Sequence, residues 1–207
     1  MSTHNTIVCL AAGKGTRMGR LSSYLQKCMY PIDGLRLRYV RQPVAAGTAH
    51  AVQTALDQVD NAGQVYVWLD DAFLPAEWFD RLAANPFDVA INLVREENHL
   101  SLHHRVDTEG DRVTSTWRGS GPYVEAGLWK LVPEVLSGMR ASDDGEYRML
   151  YVLEEYIERG QTVGYIETPE WVQLGGGGPV GDRELLDAMD RVTGGARGRR
   201  HAAEGDR

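Results

Sequence analysis

The residues best suited to chemistry lie near the start of the chain, in Ile7–Arg20, IVCLAAGKGTRMGR, and in LQKCMYPIDG soon after. A short apolar run ends in a glycine-rich turn that carries Arg17, and Lys27 follows ten residues later. Glycines let backbone N–H groups approach an anion closely, and a following helix N-terminus adds a favourable field. A turn built only for geometry requires the glycines but neither cation. Gly13, Gly15 and Gly19 do not have the dinucleotide-binding spacing, and Lys14 between glycines is not a Walker A lysine. By itself the turn is compatible with a structural role as well as with an anion. Two further groups stand at element ends. Asp70 and Asp71 close the run QVYVWL, and Gln42 closes LRLRYVRQ. Read alone, these are a solvated acidic turn and a polar strand end. An amide can also donate and accept against a base edge.

The elements that must position these groups follow from periodicity. Thr6–Leu10 predicts a buried strand, and the alternation in Leu35–Gln42 predicts a half-buried one. Ala49, Val52, Leu56 and Val59 recur at helical spacing, with Thr48 the expected N-cap. Gln64–Leu69 reads as a strand, Glu77–Ala84 as a helix and Asp88–Val94 as an extended run. Next come a hairpin turning at Glu109-Gly110, the strand YVEAGLWKL and a short helix opened by Pro133. A helix over Tyr147–Arg159 ends at Gly160, followed by the strand TVGYIE, the loop WVQLGGGG and a helix over Asp182–Val192. Strands alternating with helices imply an α/β fold with a mixed, mainly parallel sheet flanked by helices. Ligands of such sheets sit outside the carboxyl ends of the strands, which places the glycine turn and Asp70-Asp71 on one rim.

Composition narrows the function. The 207 residues predict one domain over 1–192 and a disordered Gly/Arg-rich tail over 193–207. The net charge is −7, and the last fifteen residues contribute +2, so the remainder carries −9. A body this acidic argues against nucleic acid as a partner. No apolar run reaches the roughly 18 residues of a membrane span, and no secretory leader is visible, so the expected location is cytoplasmic. Cys9 and Cys28 form no disulfide framework or metal spacing, and Cys9 reads as a small core residue. His103-His104 lacks further ligands at metal spacing.

Taken together, LAAGKGTRM, the step from Arg17 to Lys27, and YPIDG resemble the sugar-1-phosphate nucleotidyltransferase family. QPVAAGTAHAV is similar to its base-recognition segment, VYVWLDDAF to the strand ending in its metal aspartate, and YVEAGLWKLVPEVL to its sugar-pocket strand. WVQLGGGGPVGDRELLDAM is similar to its closing segment. The resemblance implies a Rossmann-like nucleotide-diphospho-sugar transferase fold and transfer of a nucleoside monophosphate from a nucleoside triphosphate to a sugar 1-phosphate. Pyrophosphate leaves. It implies Arg17 and Lys27 as catalytic cations. Leu10, Ala11, Ala12, Gly13, Gly15, Thr16, Gln42, Gly47 and Thr48 would bind the nucleotide. Glu125, Ala126 and Gly127 would bind the sugar, and Asp71 and Gln173 would hold Mg²⁺.

Three departures accompany the resemblance. Gln173 stands where many members carry a second metal aspartate, and Asp70 where they carry glycine. PIDG runs directly into LRLRYVRQ, so one strand–helix unit is missing and a flank of the sheet lacks its usual cover. A homo-oligomer could supply that cover. The alternatives are a related enzyme acting on a cyclitol or polyol phosphate, and a catalytically degenerate subunit that binds nucleotide and regulates a partner.

Overall fold

The computed structural model describes residues 4–10, 40–60, 62–69, 72–74, 77–96, 104–169 and 172–173. Its elements in order are β1 (His4–Leu10), α1 (Thr48–Leu56), β2 (Ala62–Leu69), β3 (Ala72–Phe73), α2 (Glu77–Ala83), β4 (Ala90–Arg95), β5 (Arg105–Glu109), β6 (Arg112–Gly119) and β7 (Tyr123–Leu131). A 3-10 turn over Pro133–Leu136, α3 (Met149–Glu158), β8 (Val163–Thr168) and β9 (Val172–Gln173) complete the order. The predicted helix over Asp182–Val192 and the tail lie outside the described residues.

Seven strands form one sheet in the order β1-β2-β7-β4-β8-β6-β5. β1, β2, β4, β5 and β8 run one way, and β6 and β7 the other. The sheet is mixed and not mainly parallel: among the described strands only β1–β2 and β4–β8 pair parallel. The ladders of β7 with β2, β4 and β5 and of β6 with β5 and β8 are antiparallel, because hairpin and return connections place β6 and β7 among the others in the opposite direction. Among the described residues β1 pairs only with β2 and forms the sheet edge.

Helices cover both faces. Ala49, Val52 and Leu56 of α1 and Met149, Val152 and Leu153 of α3 pack on Val65, Val67, Ile91, Leu93, Trp129 and Leu131. On the other face Leu82 of α2 meets Leu74, Ala90 and Leu128. Burial alternates along β1: Val8 is buried while Ile7 and Cys9 are exposed. Cys9 is thus no core residue, because in a strand the side chains on either side of Val8 face away from the helices that cover it.

Other differences are local. The strand expected over Leu35–Gln42 does not include Val40–Gln42, which precede Pro43, and Leu35–Tyr39 lie outside the described residues. Thr48 is the first residue of α1 and not its cap; Gly47 occupies the N-cap position with φ 102°. Part of the expected loop WVQLGGGG is the two-residue strand β9.

Candidate active site

The candidate site is expected at the carboxyl end of β1 and β2. These strands are parallel neighbours and finish in register, Leu10 opposite Leu69. The last residues of the two strands therefore lie one strand spacing, about 4.8 Å, apart. Leu10 is half-buried there. Ala11, Ala12, Gly13, Gly15, Thr16, Arg17 and Lys27 lie outside the described residues, as does Asp71.

The chain between β2 and β3 is closed by the Trp68 indole, whose Nε1–H donates to the Ala72 carbonyl at 2.7 Å. β3 then pairs antiparallel with β9, Ala72 opposite Gln173 and Phe73 opposite Val172. The two segments expected to hold Mg²⁺ thus meet through backbone pairing although about a hundred residues separate them.

Gly127 makes this crossing possible. It lies on β7 at φ 83°, and a Cβ there would stand 2.5 Å from the Cβ of Ala72 and 3.3 Å from that of Leu69. A side chain at this position would occupy the path of β3. Two residues earlier, and on the same face of β7, the Glu125 carboxylate accepts hydrogen bonds from the Gly127 N–H and from the Trp129 indole, the latter at 2.6 Å. Glu125 thereby braces its own strand at the rim. Ala126 points the other way and is buried with Val94 and Val124.

Gln42, Gly47 and Thr48 gather at the start of α1. This helix leads into β2 and runs back along the sheet, so its first turn lies near the same rim. The Gln42 amide nitrogen donates to the Gly47 carbonyl at 3.1 Å and lies 2.8 Å from His50 Nδ1. The loop 142–148 fastens this segment. Ala49 N–H donates to the Tyr147 carbonyl and Tyr147 N–H to the Ala46 carbonyl, both at 2.8 Å. Thr48 Oγ1 accepts from the Met149 N–H at 2.9 Å, which explains why its hydroxyl does not cap its own helix. A Cβ on Gly47 would lie 2.5 Å from the Tyr147 carbonyl oxygen, so glycine is needed for the close approach as well as for its φ.

Asp144 organises that loop. Its carboxylate accepts from Ser142 Oγ at 2.7 Å, from the Glu146 N–H at 3.0 Å and from Arg148 Nε at 2.7 Å. These bonds favour the ionised form, led by the Ser142 hydroxyl, and lower the carboxyl pKa to about 2.

Sequence reading missed His50, Tyr147 and the Ser142–Arg148 loop. Each acts through a contact between distant segments that no local period marks. It also missed Glu154, a buried carboxylate on α3 that accepts from the backbone N–H groups of Thr116 and Trp117 at 2.6 and 3.0 Å and from Ser115 Oγ at 3.0 Å. Glu154 ties α3 to β6 and takes no part at the rim. His104 stacks on Trp117 with ring centroids 3.6 Å apart. Among the described residues no three His, Cys, Asp or Glu side chains converge as a metal site. A cleft of about 260 Å³ between Gly138, Arg140, Glu155, Glu158 and Arg159 lies at the far end of α3 from the rim. Arg140 there pairs with Glu155 and Glu158 with Arg118, while Arg159 donates to the Ser137 carbonyl at 3.1 Å.

No protein-family model matches the chain, and no curated protein matches it. Solved structures do. The inositol-1-phosphate CTP transferase from T. maritima superposes with a TM-score of 0.68 at 14% identity, covering 93% of this chain and 98% of its own. The fold is the nucleotide-diphospho-sugar transferase fold. A Bacillus anthracis protein assigned as a glucose-1-phosphate thymidylyltransferase, in complex with sucrose, gives 0.69 at 16% identity over 91% of this chain and 95% of its own. UDP-glucose pyrophosphorylase complexed with UDP-glucose gives 0.65 at 13% identity over 92% and 98%. At these identities the likeness establishes the fold.

Proposed function

We propose that the chain is a Mg²⁺-dependent nucleotidyltransferase that moves a nucleoside monophosphate from a nucleoside triphosphate to a sugar 1-phosphate. One observation supports the reading: Leu10 and Leu69, the last residues before the glycine turn and the acidic pair in the sequence, are in register, and Ala72 pairs with Gln173 of the closing segment. The three similar structures are described as enzymes of sugar or cyclitol phosphates and nucleotides, which agrees in kind.

In this reaction a phosphate oxygen of the sugar 1-phosphate attacks the α-phosphorus, a new P–O bond forms, and the α–β bridging P–O bond breaks. Pyrophosphate leaves with that electron pair. All partners are anionic, so the protein's task is positioning and charge neutralisation. The loop Leu10–Thr16 cradles the phosphates with its N–H groups. Arg17 holds the leaving β- and γ-phosphates by its planar fork, and Lys27 offers a compact charge to the α-phosphate or the sugar phosphate. Gln42, with Gly47 and Thr48 behind it, faces the base. Glu125 and Gly127 border the sugar, with the Glu125 carboxylate held in place by Trp129.

Asp71, with a carboxylate, and Gln173, with an amide oxygen, would hold Mg²⁺; Gln173 pairs with Ala72, the residue after Asp71. Mg²⁺ favours oxygen ligands, commonly one or two carboxylates plus substrate phosphates. When bound, it neutralises charge on the phosphates. Transfer is tested by pyrophosphate release over a panel of triphosphates with glucose 1-phosphate and inositol 1-phosphate as acceptors. Release that needs both a triphosphate and an acceptor is the expected result; release with no acceptor present, or none with any pair, refutes the reading.

A further inference from the structure

The Gln42 amide is held in one orientation. Its nitrogen lies 3.1 Å from the Gly47 carbonyl oxygen, which can only accept, so the NH₂ and not the carbonyl of the amide must face it. The same nitrogen lies 2.8 Å from His50 Nδ1. With a donor at that distance, Nδ1 must be the unprotonated ring nitrogen, and the ring hydrogen sits on Nε2. Both amide hydrogens are thereby engaged, and Oε1 alone is left to meet a ligand.

A glutamine free to turn its amide exchanges donor for acceptor and can read two bases. Uracil and cytosine differ by such an exchange at positions 3 and 4, and so do guanine and adenine at positions 1 and 6. We infer that His50 is a positioning residue that locks Gln42 as an acceptor, making the enzyme discriminate keto from amino bases; this rests on the nucleotide-binding role proposed for Gln42. The base supplies a hydrogen to Gln42 Oε1, and its counterpart with donor and acceptor exchanged is turned away.

The lock depends on the backbone as well as on His50. The Gly47 carbonyl also accepts from the Ala51 N–H of α1 at 3.1 Å, and Ala46 and Ala49 on either side are bonded to Tyr147, so the carbonyl is held against swinging aside to accommodate a turned amide. The His50 ring lies 6.2 Å from the Tyr147 ring, centroid to centroid, which places the same loop beside the imidazole.

The test measures kcat/KM for UTP, CTP, GTP and ATP with a fixed acceptor, and binding of each triphosphate by calorimetry. The wild-type enzyme should prefer one member of each pair, UTP against CTP and GTP against ATP, by about 5- to 150-fold. His50→Leu removes the acceptor at Nδ1 and should lower those ratios about five- to tenfold. His50→Asn supplies an acceptor oxygen and should restore most of the preference. Thermal midpoints of both variants report folding separately, and a merely structural role for His50 would change stability without moving the ratios. Equal use of UTP and CTP by the wild type, or unchanged ratios in His50→Leu, overturns the inference while leaving the transferase reading intact. Failure of every triphosphate to bind overturns both.

Discussion

Replacing Gly127 with alanine tests whether the β3 crossing depends on a missing side chain. At φ 83° a residue with a Cβ is strained, and the added methyl would stand 2.5 Å from the Cβ of Ala72. Left-handed backbone costs about 1–2 kcal/mol and overpacking about 1–3 kcal/mol, so the sum is about 2–5 kcal/mol. The smaller unfolded-state entropy of alanine offsets about 0.4–1 kcal/mol of this. The net loss is about 1–4.6 kcal/mol, so with a urea slope of about 2 kcal/mol per molar the unfolding midpoint should fall by about 0.5–2.3 M. Gly110→Ala is the control: its φ is 61°, but nothing lies within 4 Å of the added Cβ, so it carries the backbone strain alone. Under conditions where Gly127→Ala remains folded, pyrophosphate release should still fall, because β3 carries the chain on from Asp71. A Gly127→Ala midpoint equal to that of Gly110→Ala would refute the crowding at Ala72, and full activity would refute its link to the site.

Three further outcomes follow from named groups. Glu154→Ala should destabilise the protein by about 3 kcal/mol or more by chemical denaturation, because the Thr116 and Trp117 N–H groups lose a buried charged acceptor. Asp144 ionises with a pKa of about 2 in the fold, below its ordinary value, so its contribution is fully present above about pH 4. It is lost as pH falls from about 4 through about 2, and exchange protection of the Ala49 and Tyr147 amides should decline over that window and not above it. Lys27→Ala should lower kcat about 100- to 1,000-fold at saturating substrates, the loss seen when one stabilising donor is removed; near-normal turnover would remove Lys27 from the site.

Much of this architecture is legible in the sequence because it is periodic. The helical spacing of Ala49, Val52 and Leu56 and the β-branched and aromatic run Val65–Val67 name their elements and buried faces without help from tertiary contacts. The carboxyl-end rule then predicts the glycine turn beside Asp70-Asp71, and the residues just before them, Leu10 and Leu69, lie in register. Legibility ends where a side chain answers to a distant partner. Thr48 has the composition of a cap, yet Met149, 101 residues away, takes its hydroxyl. Cys9 looks like core because its neighbours are apolar, but a strand covered on one face exposes alternate residues. Ala126 shares its segment with Glu125 and Gly127, but the pleat turns it to the other face, among Val94 and Val124. Nothing local to Gln42 marks its tie to His50, since the helix start that brings them together is itself fixed by the 142–148 loop.

Phosphorus NMR of the reaction mixture tests the central claim most directly, with the purified protein, Mg²⁺, a nucleoside triphosphate and a sugar 1-phosphate. A nucleotidyltransferase gives a pair of coupled diphosphate-diester resonances and equimolar pyrophosphate, growing together as the sugar 1-phosphate signal declines. Release of inorganic phosphate with the sugar 1-phosphate signal unchanged, or an unaltered spectrum across the whole panel of triphosphates, would contradict it.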